Sequence, residues 1–210
     1  MKKSAYIVLF SILIAQCSST KIISTYKSEE PFSLENGKIA ILALTEGPDE
    51  ELRKKMENHM ADDLCNLGYE ALSTIDLLGS DKSKVQDEKE ILKNLQKENV
   101  VSVLTIVLLR LDKEKYHAPA GMYDLVNQYR YSDFYPYYAA IYGKIYQDGY
   151  YINNTTYFWE SNLYRISDQK LLYSVRTESF NPSGISNLAH QYGKIIIQNM
   201  LQENVIKELN

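Results

Sequence analysis

Cysteine is nearly absent: Cys17 and Cys65 are the only two in 210 residues. A disulfide framework of the kind that staples small secreted domains is therefore excluded. Histidine is scarce as well. His59, His117 and His190 stand far apart and form no paired-ligand motif, so no metal site is expected. There is no basic excess. A formal charge of −4 without a basic block makes a poor nucleic-acid binder and offers no polybasic patch for anionic headgroups. Long apolar runs are missing too: the two longest, Ala5 to Ala15 and Val100 to Leu111, fall short of the about 20 residues a spanning helix needs. Gly37-Lys38 and Gly143-Lys144 are each followed by Ile, so neither completes a phosphate-binding loop, and no G-x-G-x-x-G or G-x-S-x-G occurs. No cofactor is expected, and no catalytic set is identifiable.

What the chain does have begins at its start. Lys2 and Lys3 precede the apolar stretch Ala5–Ala15, and Ala15-Gln16-Cys17 then gives way to Ser18-Ser19-Thr20. Charge, short apolar core and small-residue boundary, in that order, read as a secretory signal over residues 1–16. Leu13-Ile14-Ala15-Gln16-Cys17 resembles the lipobox of bacterial lipoproteins, departing from the usual pattern at Gln16. That resemblance implies a diacylglyceryl (palmitate-type) anchor on Cys17, with the bilayer as a partner. Two or more acyl chains hold stably where one does not. Removing residues 1–16 leaves 194 residues, one domain's worth, and takes the charge to −6. Ser18 lacks the acidic residue that marks inner-membrane retention in enteric lipoproteins, which points to the outer membrane, facing the periplasm. With Cys17 acylated, Cys65 has no partner, and its place beside Leu64 and Leu67 predicts a buried, inert thiol.

Residues 17–36 are polar and aperiodic and read as the lipidated cysteine and a flexible tether. A single domain is expected over 37–210. Lys38-Ile39-Ala40-Ile41-Leu42-Ala43-Leu44 is a nearly continuous apolar run, predicting a strand covered on both faces. Gly47-Pro48-Asp49-Glu50-Glu51 opens a helix, with Leu52, Met56, Met60, Leu64 and Leu67 at helical spacing and Gly68 as its stop. Tyr69 to Leu78 reads as a strand and its exit. Val85 to Asn99 reads as a helix with Ile91, Leu92 and Leu95 inward, and Val100 to Leu111 as the strongest strand. Tyr157–Arg165 and Lys170–Ser179 flank a short polar turn and make a hairpin. After Asn181-Pro182-Ser183-Gly184, a final helix from Ser186 carries Leu188, Tyr192, Ile195, Ile196, Met200 and Val205. The expected fold is α/β: a mixed sheet of about five strands flanked by three helices, with a C-terminal antiparallel hairpin and a Tyr-rich insertion over 112–156.

The strand–helix–strand–helix–strand start resembles a family of small bacterial envelope lipoproteins of unknown function. So do the hairpin Glu160-Ser161-Asn162-Leu163-Tyr164-Arg165 … Lys170-Leu171-Leu172-Tyr173-Ser174 … Thr177-Glu178-Ser179 and the closing helix. That family is similar in fold to the amino-terminal domain of TolB and to the curli-secretion lipoprotein. The resemblance implies an accessory role in the envelope and supplies no catalytic residues.

The insertion is the compositional anomaly. Thirteen of the 18 tyrosines lie between Tyr116 and Tyr164, densest over Tyr129-Arg130-Tyr131-Ser132-Asp133-Phe134-Tyr135-Pro136-Tyr137-Tyr138. Tyrosine presents a flat apolar face and a polar tip at low entropic cost, which suits recognition, and Arg130 could stack on a ring. The competing expectation is that the rings fold down over the sheet as core. Tyr129, Arg130, Tyr131, Tyr135, Tyr137 and Tyr138 are the candidate partner-binding residues. Three functions follow. The first is a non-enzymatic envelope module that binds a protein partner, and the second is a glycan-binding module using the same rings. The third is an envelope hydrolase, which would need Glu160 or Glu178 to be buried and perturbed.

Overall fold

The computed structural model describes residues 20–34, 37–45, 50–78, 88–145 and 149–209. The expected signal peptide over residues 1–16, Cys17 and the expected Gly47-Pro48-Asp49 helix start lie outside them.

One six-stranded sheet organises the chain. Its strands are β1 (Thr20–Lys27), β2 (Lys38–Leu44), β3 (Ala71–Ser73), β4 (Val100–Pro119), β5 (Gly149–Arg165) and β6 (Leu171–Phe180). They lie in the order β1-β6-β5-β4-β2-β3, with β3, β2 and β4 parallel and β4, β5, β6 and β1 antiparallel. The helices are α1 (Glu50–Asn66), α2 (Thr74–Leu78), α3 (Glu88–Lys97), α4 (Met122–Gln128), α5 (Phe134–Ile145) and α6 (Ile185–Gln202). The expected α/β class with a mixed sheet, flanking helices and a C-terminal hairpin is what forms.

The core lies on one face of the sheet. The apolar stripe of α1, Leu52, Met56, Met60 and Leu64, meets Leu188, Tyr192, Ile196 and Met200 of α6 over Ile39, Ile41, Leu104, Ile106, Trp159, Leu163 and Tyr173. Burial of this kind contributes about 25 cal/mol per Å² of apolar surface and is the main force holding the layers together. A smaller cluster, Ala40, Leu95, Val100 and Val103 with Ile91 beside it, places α3 on the opposite face. The parallel strand β2 is thus covered on both sides, as its continuous apolar run predicts. On that opposite face β5 and β6 carry polar and charged side chains, among them Glu160, Asn162, Arg176 and Glu178.

Several elements differ from the sequence expectation. The supposed tether contains β1, which pairs antiparallel with β6 from Thr20↔Ser179 to Lys27↔Tyr173. Its packing is largely polar: the Thr20 and Ser179 hydroxyls share a hydrogen bond of 2.8 Å and Thr25 donates to Asn199. The strand expected over Tyr69–Leu78 is only three residues long, because Thr74 turns the chain into α2. Gly68, at φ 93°, ends α1 as expected. Val205 lies past the last helix but is still buried, and its amide donates to the Met200 carbonyl.

The largest difference is the insertion. β4 and β5 do not stop at the sheet edge. They stay paired from Ser102↔Arg165 to Pro119↔Gly149, although β2 accompanies β4 only to Val107 and β6 accompanies β5 only from Thr156. Beyond that point they form a two-stranded ribbon, Asp112–Pro119 against Gly149–Thr156, and α4 and α5 cap its far end. At about 3.3 Å per residue, the eight residues past the Leu111↔Tyr157 row carry the cap about 26 Å beyond the sheet.

Candidate binding site

The cap is a helical hairpin whose two helices pack against each other, and neither buries a single residue. Gly121 takes a left-handed φ of 67°, which turns the chain from ribbon to α4. Leu125, Val126 and Tyr129 are half-covered between the helices, while most of the other rings face outward. Pro136 sits in the first turn of α5, where its missing N–H costs nothing.

The rings of α5 are ordered by helical spacing. Phe134, Tyr138 and Tyr142 recur every four residues and stack with centroids 5.7 and 5.4 Å apart and planes within 24° and 26° of each other. Of the candidate residues, Tyr131 is 90% and Tyr135 75% exposed; Tyr138 and Tyr137 are also exposed, and Tyr129 is half-buried. The Arg130 guanidinium lies 5.6 Å from the Tyr131 ring centroid. All six candidates therefore gather in one cap. The alternative expectation, rings folded down over the sheet as core, is not what forms. Of the thirteen clustered tyrosines, among the described residues, Tyr157 and Tyr164 lie along the body of the sheet, Tyr157 stacking on Trp159 at 6.0 Å. Tyr146 falls outside the described residues.

The cap and ribbon expose further apolar and aromatic side chains: Tyr123, Phe134, Tyr142 and Ile145 on the helices, then Tyr116 and Tyr150 on one face of the ribbon's far end and Tyr151 on the other. Lys115 lies over the Tyr151 ring at 4.5 Å. α5 contains no acidic residue and one base, Lys144 in its last turn, where a cation suits the helix dipole. Exposed apolar surface of this extent on a small domain marks an interaction site.

The two glutamates do not sit opposite each other. Cross-strand register sets Glu160 opposite Arg176 and Glu178 opposite Phe158. Glu160 accepts from Arg176 Nε at 2.6 Å and from Asn162 Nδ2 at 3.0 Å, and the Arg176 hydrogen bond holds its carboxyl below the usual range. Glu178 is ion-paired with Lys21 at 3.2 Å.

Cys65 is exposed, not buried. It falls off the Leu52–Met56–Met60–Leu64 stripe, and its thiol points to the Ala71 carbonyl at 3.6 Å. His59 and His190, far apart in sequence, meet across the α1–α6 contact with ring centroids 6.0 Å apart. Asp63 lies nearby with Oδ2 buried and unpartnered, and Gly193 leaves room for it: a Cβ there would stand 2.6 Å from that oxygen. Burial raises the Asp63 carboxyl pKa, and the two histidines oppose the shift. Among the described residues no group of three or more His, Cys, Asp or Glu could hold a metal ion.

Sequence reasoning missed Glu57. It is fully buried and accepts five different donors: Ala43 N at 2.9 Å, Arg53 Nε at 3.2 Å, Ser73 Oγ at 2.7 Å, Thr74 Oγ1, and Ile75 N at 2.9 Å. It ties the end of β2, the end of β3 and the first turn of α2 to α1. An available signal was its place on the apolar stripe, three, four and seven residues before Met60, Ala61 and Leu64. With every oxygen engaged, its role is structural.

No family profile and no curated protein matches the chain. Solved structures similar to it include the PelC dodecamer from Paraburkholderia phytofirmans, with TM-score 0.45, 11% identity, 82% of this chain and 94% of that one covered. Lipoprotein GNA1162 from Neisseria meningitidis is similar at TM-score 0.41 and 18% identity, over 79% of this chain and 99% of that one. A homologue of neuraminyllactose-binding hemagglutinin from Helicobacter pylori is similar at TM-score 0.46 and 12% identity, over 85% and 89%. All three fall below a TM-score of 0.5, and neither TolB nor the curli-secretion lipoprotein is among them.

Proposed function

We propose that this chain is a lipid-anchored, non-enzymatic binding module of the bacterial envelope, held by acylated Cys17 and engaging its target through the aromatic cap. One observation carries the reading: a cap dense in aromatic rings buries none of its residues and is carried clear of the sheet on a paired ribbon. A chain segment that contributes nothing to the core yet exposes this much aromatic surface has its use outside the domain.

The stacked row bears on the choice of target. Sugar recognition uses open ring faces, whereas Phe134, Tyr138 and Tyr142 turn theirs toward one another and present edges. The glycan reading therefore rests on exposed rings outside that row, such as Tyr123, Tyr131 and Tyr135. A protein partner or the bilayer itself fits the row better.

Site-specific photocrosslinking in cells tests the reading. A photoreactive side chain at position 135, 137 or 138 should form adducts that the same group at Lys54, on the exposed side of α1, does not form. Intact mass of each adduct separates a protein from a lipid target. Adducts concentrated at Lys54, with none at the cap, would overturn the assignment of the cap as the binding element.

A further inference from the structure

The first residue of β1 and the ribbon that carries the aromatic cap lie at the same end of the sheet. β1 runs antiparallel to β6, so its first residue, Thr20, lies in the row Thr20–Ser179–Tyr157–Leu111. The ribbon starts from the next row, Phe180–Thr156–Asp112. Thr20 and the base of the ribbon therefore lie at the same end of the sheet. They are two strand spacings apart from β1 to β5, about 10 Å.

Their reaches differ. Three residues separate Thr20 from Cys17 and span at most about 11 Å when fully extended. The ribbon alone extends about 26 Å, before its helices are added. A leaflet that holds the acyl chains of Cys17 thus lies nearer to Thr20 than the arm is long, so the cap is within reach of that surface.

The chemistry of the arm changes in the order such a surface requires. Nearest the sheet the ribbon carries charge, Asp112-Lys113-Glu114-Lys115. Next come Tyr116, Tyr150 and Tyr151, with Lys115 over the Tyr151 ring. Beyond them is α5, with its stacked rings and no acid. Tyrosine settles at the boundary of headgroup and hydrocarbon because its ring is apolar and its hydroxyl stays hydrated. α5 has 12 residues, and no helix among the described residues is long and apolar enough to cross a membrane. Contact at the interface, not a crossing, is what its length allows.

We infer that the cap is a second membrane contact, in which Phe134, Tyr135, Tyr138 and Tyr142 dip into the interface of the leaflet that holds Cys17. The inference rests on the anchored-arm reading and names its target as a lipid surface. The bilayer then holds the domain at two points, and the ribbon fixes its orientation.

The test uses the full acylated chain carrying Tyr135→Trp, reconstituted into phosphatidylethanolamine–phosphatidylglycerol vesicles with and without brominated phosphatidylcholine. Intact mass verifies the acyl chains. Trp159 is fully buried and supplies a constant background. The added tryptophan should shift its emission to the blue in vesicles and lose roughly half of it or more to brominated lipid. A tryptophan at Lys54 should do neither, and Phe134→Ser with Tyr138→Ser and Tyr142→Ser should abolish the quenching at 135.

An acylated protein whose added tryptophan shows no shift and no quenching overturns the inference and leaves the anchor standing. Protein adducts at the same position in cells would then assign the cap to a protein partner. A mass without acyl chains overturns the anchor instead. Quenching that persists when that unacylated chain is added to the vesicles supports the cap as a lipid contact in its own right, and its absence removes both.

Discussion

β4 and β5 form one continuous hairpin with two unlike halves. In the lower half, Leu104, Ile106, Trp159 and Leu163 are completely buried. In the upper half the same two strands hold their register for a further eight rows and bury almost nothing. Backbone hydrogen bonding is alike in both. The neighbours differ: below, β2 and β6 extend the sheet and α1 and α6 cover it; above, past Phe180 and the Asn181 amide that reaches the Thr155 carbonyl, no strand among the described residues flanks the pair. Isolated two-stranded hairpins are marginal in water, so the upper half is held in place by the lower half's core. Folding energy is concentrated at one end of the hairpin and interaction surface at the other.

Substitutions should separate the halves. The largest effect is expected from Glu57→Ala, which strands several buried donors at once and should cost about 4 kcal/mol, read from the urea midpoint. Leu64→Ala opens a cavity between α1 and the sheet and should cost about 3 kcal/mol on the same measurement. The next is smaller and depends on pH. Burial sets the Asp63 pKa above its unfolded value, so the folded protein binds the proton more tightly. Stability from this group is full below the ordinary Asp pKa and falls as pH rises through the raised one. Asp63→Asn should therefore be more stable than the parent at neutral pH, with the gap closing in acid. His59 and His190 face the same carboxylate, so a melting series from pH 4 to 8 should be run on both proteins. Smallest of all, Tyr131→Ser, Tyr135→Ser and Tyr138→Ser should each shift stability by no more than about 0.5 kcal/mol. A loss at the cap comparable to that of Leu64→Ala would break the comparison by showing that the cap belongs to the folding unit.

The buried half was legible in the sequence and the exposed half was not. Lys38–Leu44, the Leu52–Leu64 stripe, Val100–Leu111 and the Leu188–Met200 stripe announce themselves because apolar residues recur at the period of a strand or a helix. The ribbon has no core to face, so Lys113-Glu114-Lys115 and Ile152-Asn153-Asn154-Thr155 carry no such period; pairing alone makes them strands. β1 was hidden for a related reason. It covers the margin of the core through hydroxyls, Thr20 to Ser179 and Thr25 to Asn199, and reads as polar. Glu57 and Cys65 show the converse: an acid that belongs inside because α2 needs its oxygens, and a thiol that falls one step off the stripe. The candidate tyrosines were identifiable by density. That they project instead of packing depends on the ribbon, which no local pattern declares.

A paired ribbon without flanking strands is also a lever. Rotating its base by about ten degrees sweeps a point 26 Å away through about 4 to 5 Å. Small adjustments where Leu108 and Arg110 bulge out of register would thus be magnified at the cap. The height and tilt of the domain above whatever the cap grips would be set at that bulge, from inside the folded body and without unfolding any of it.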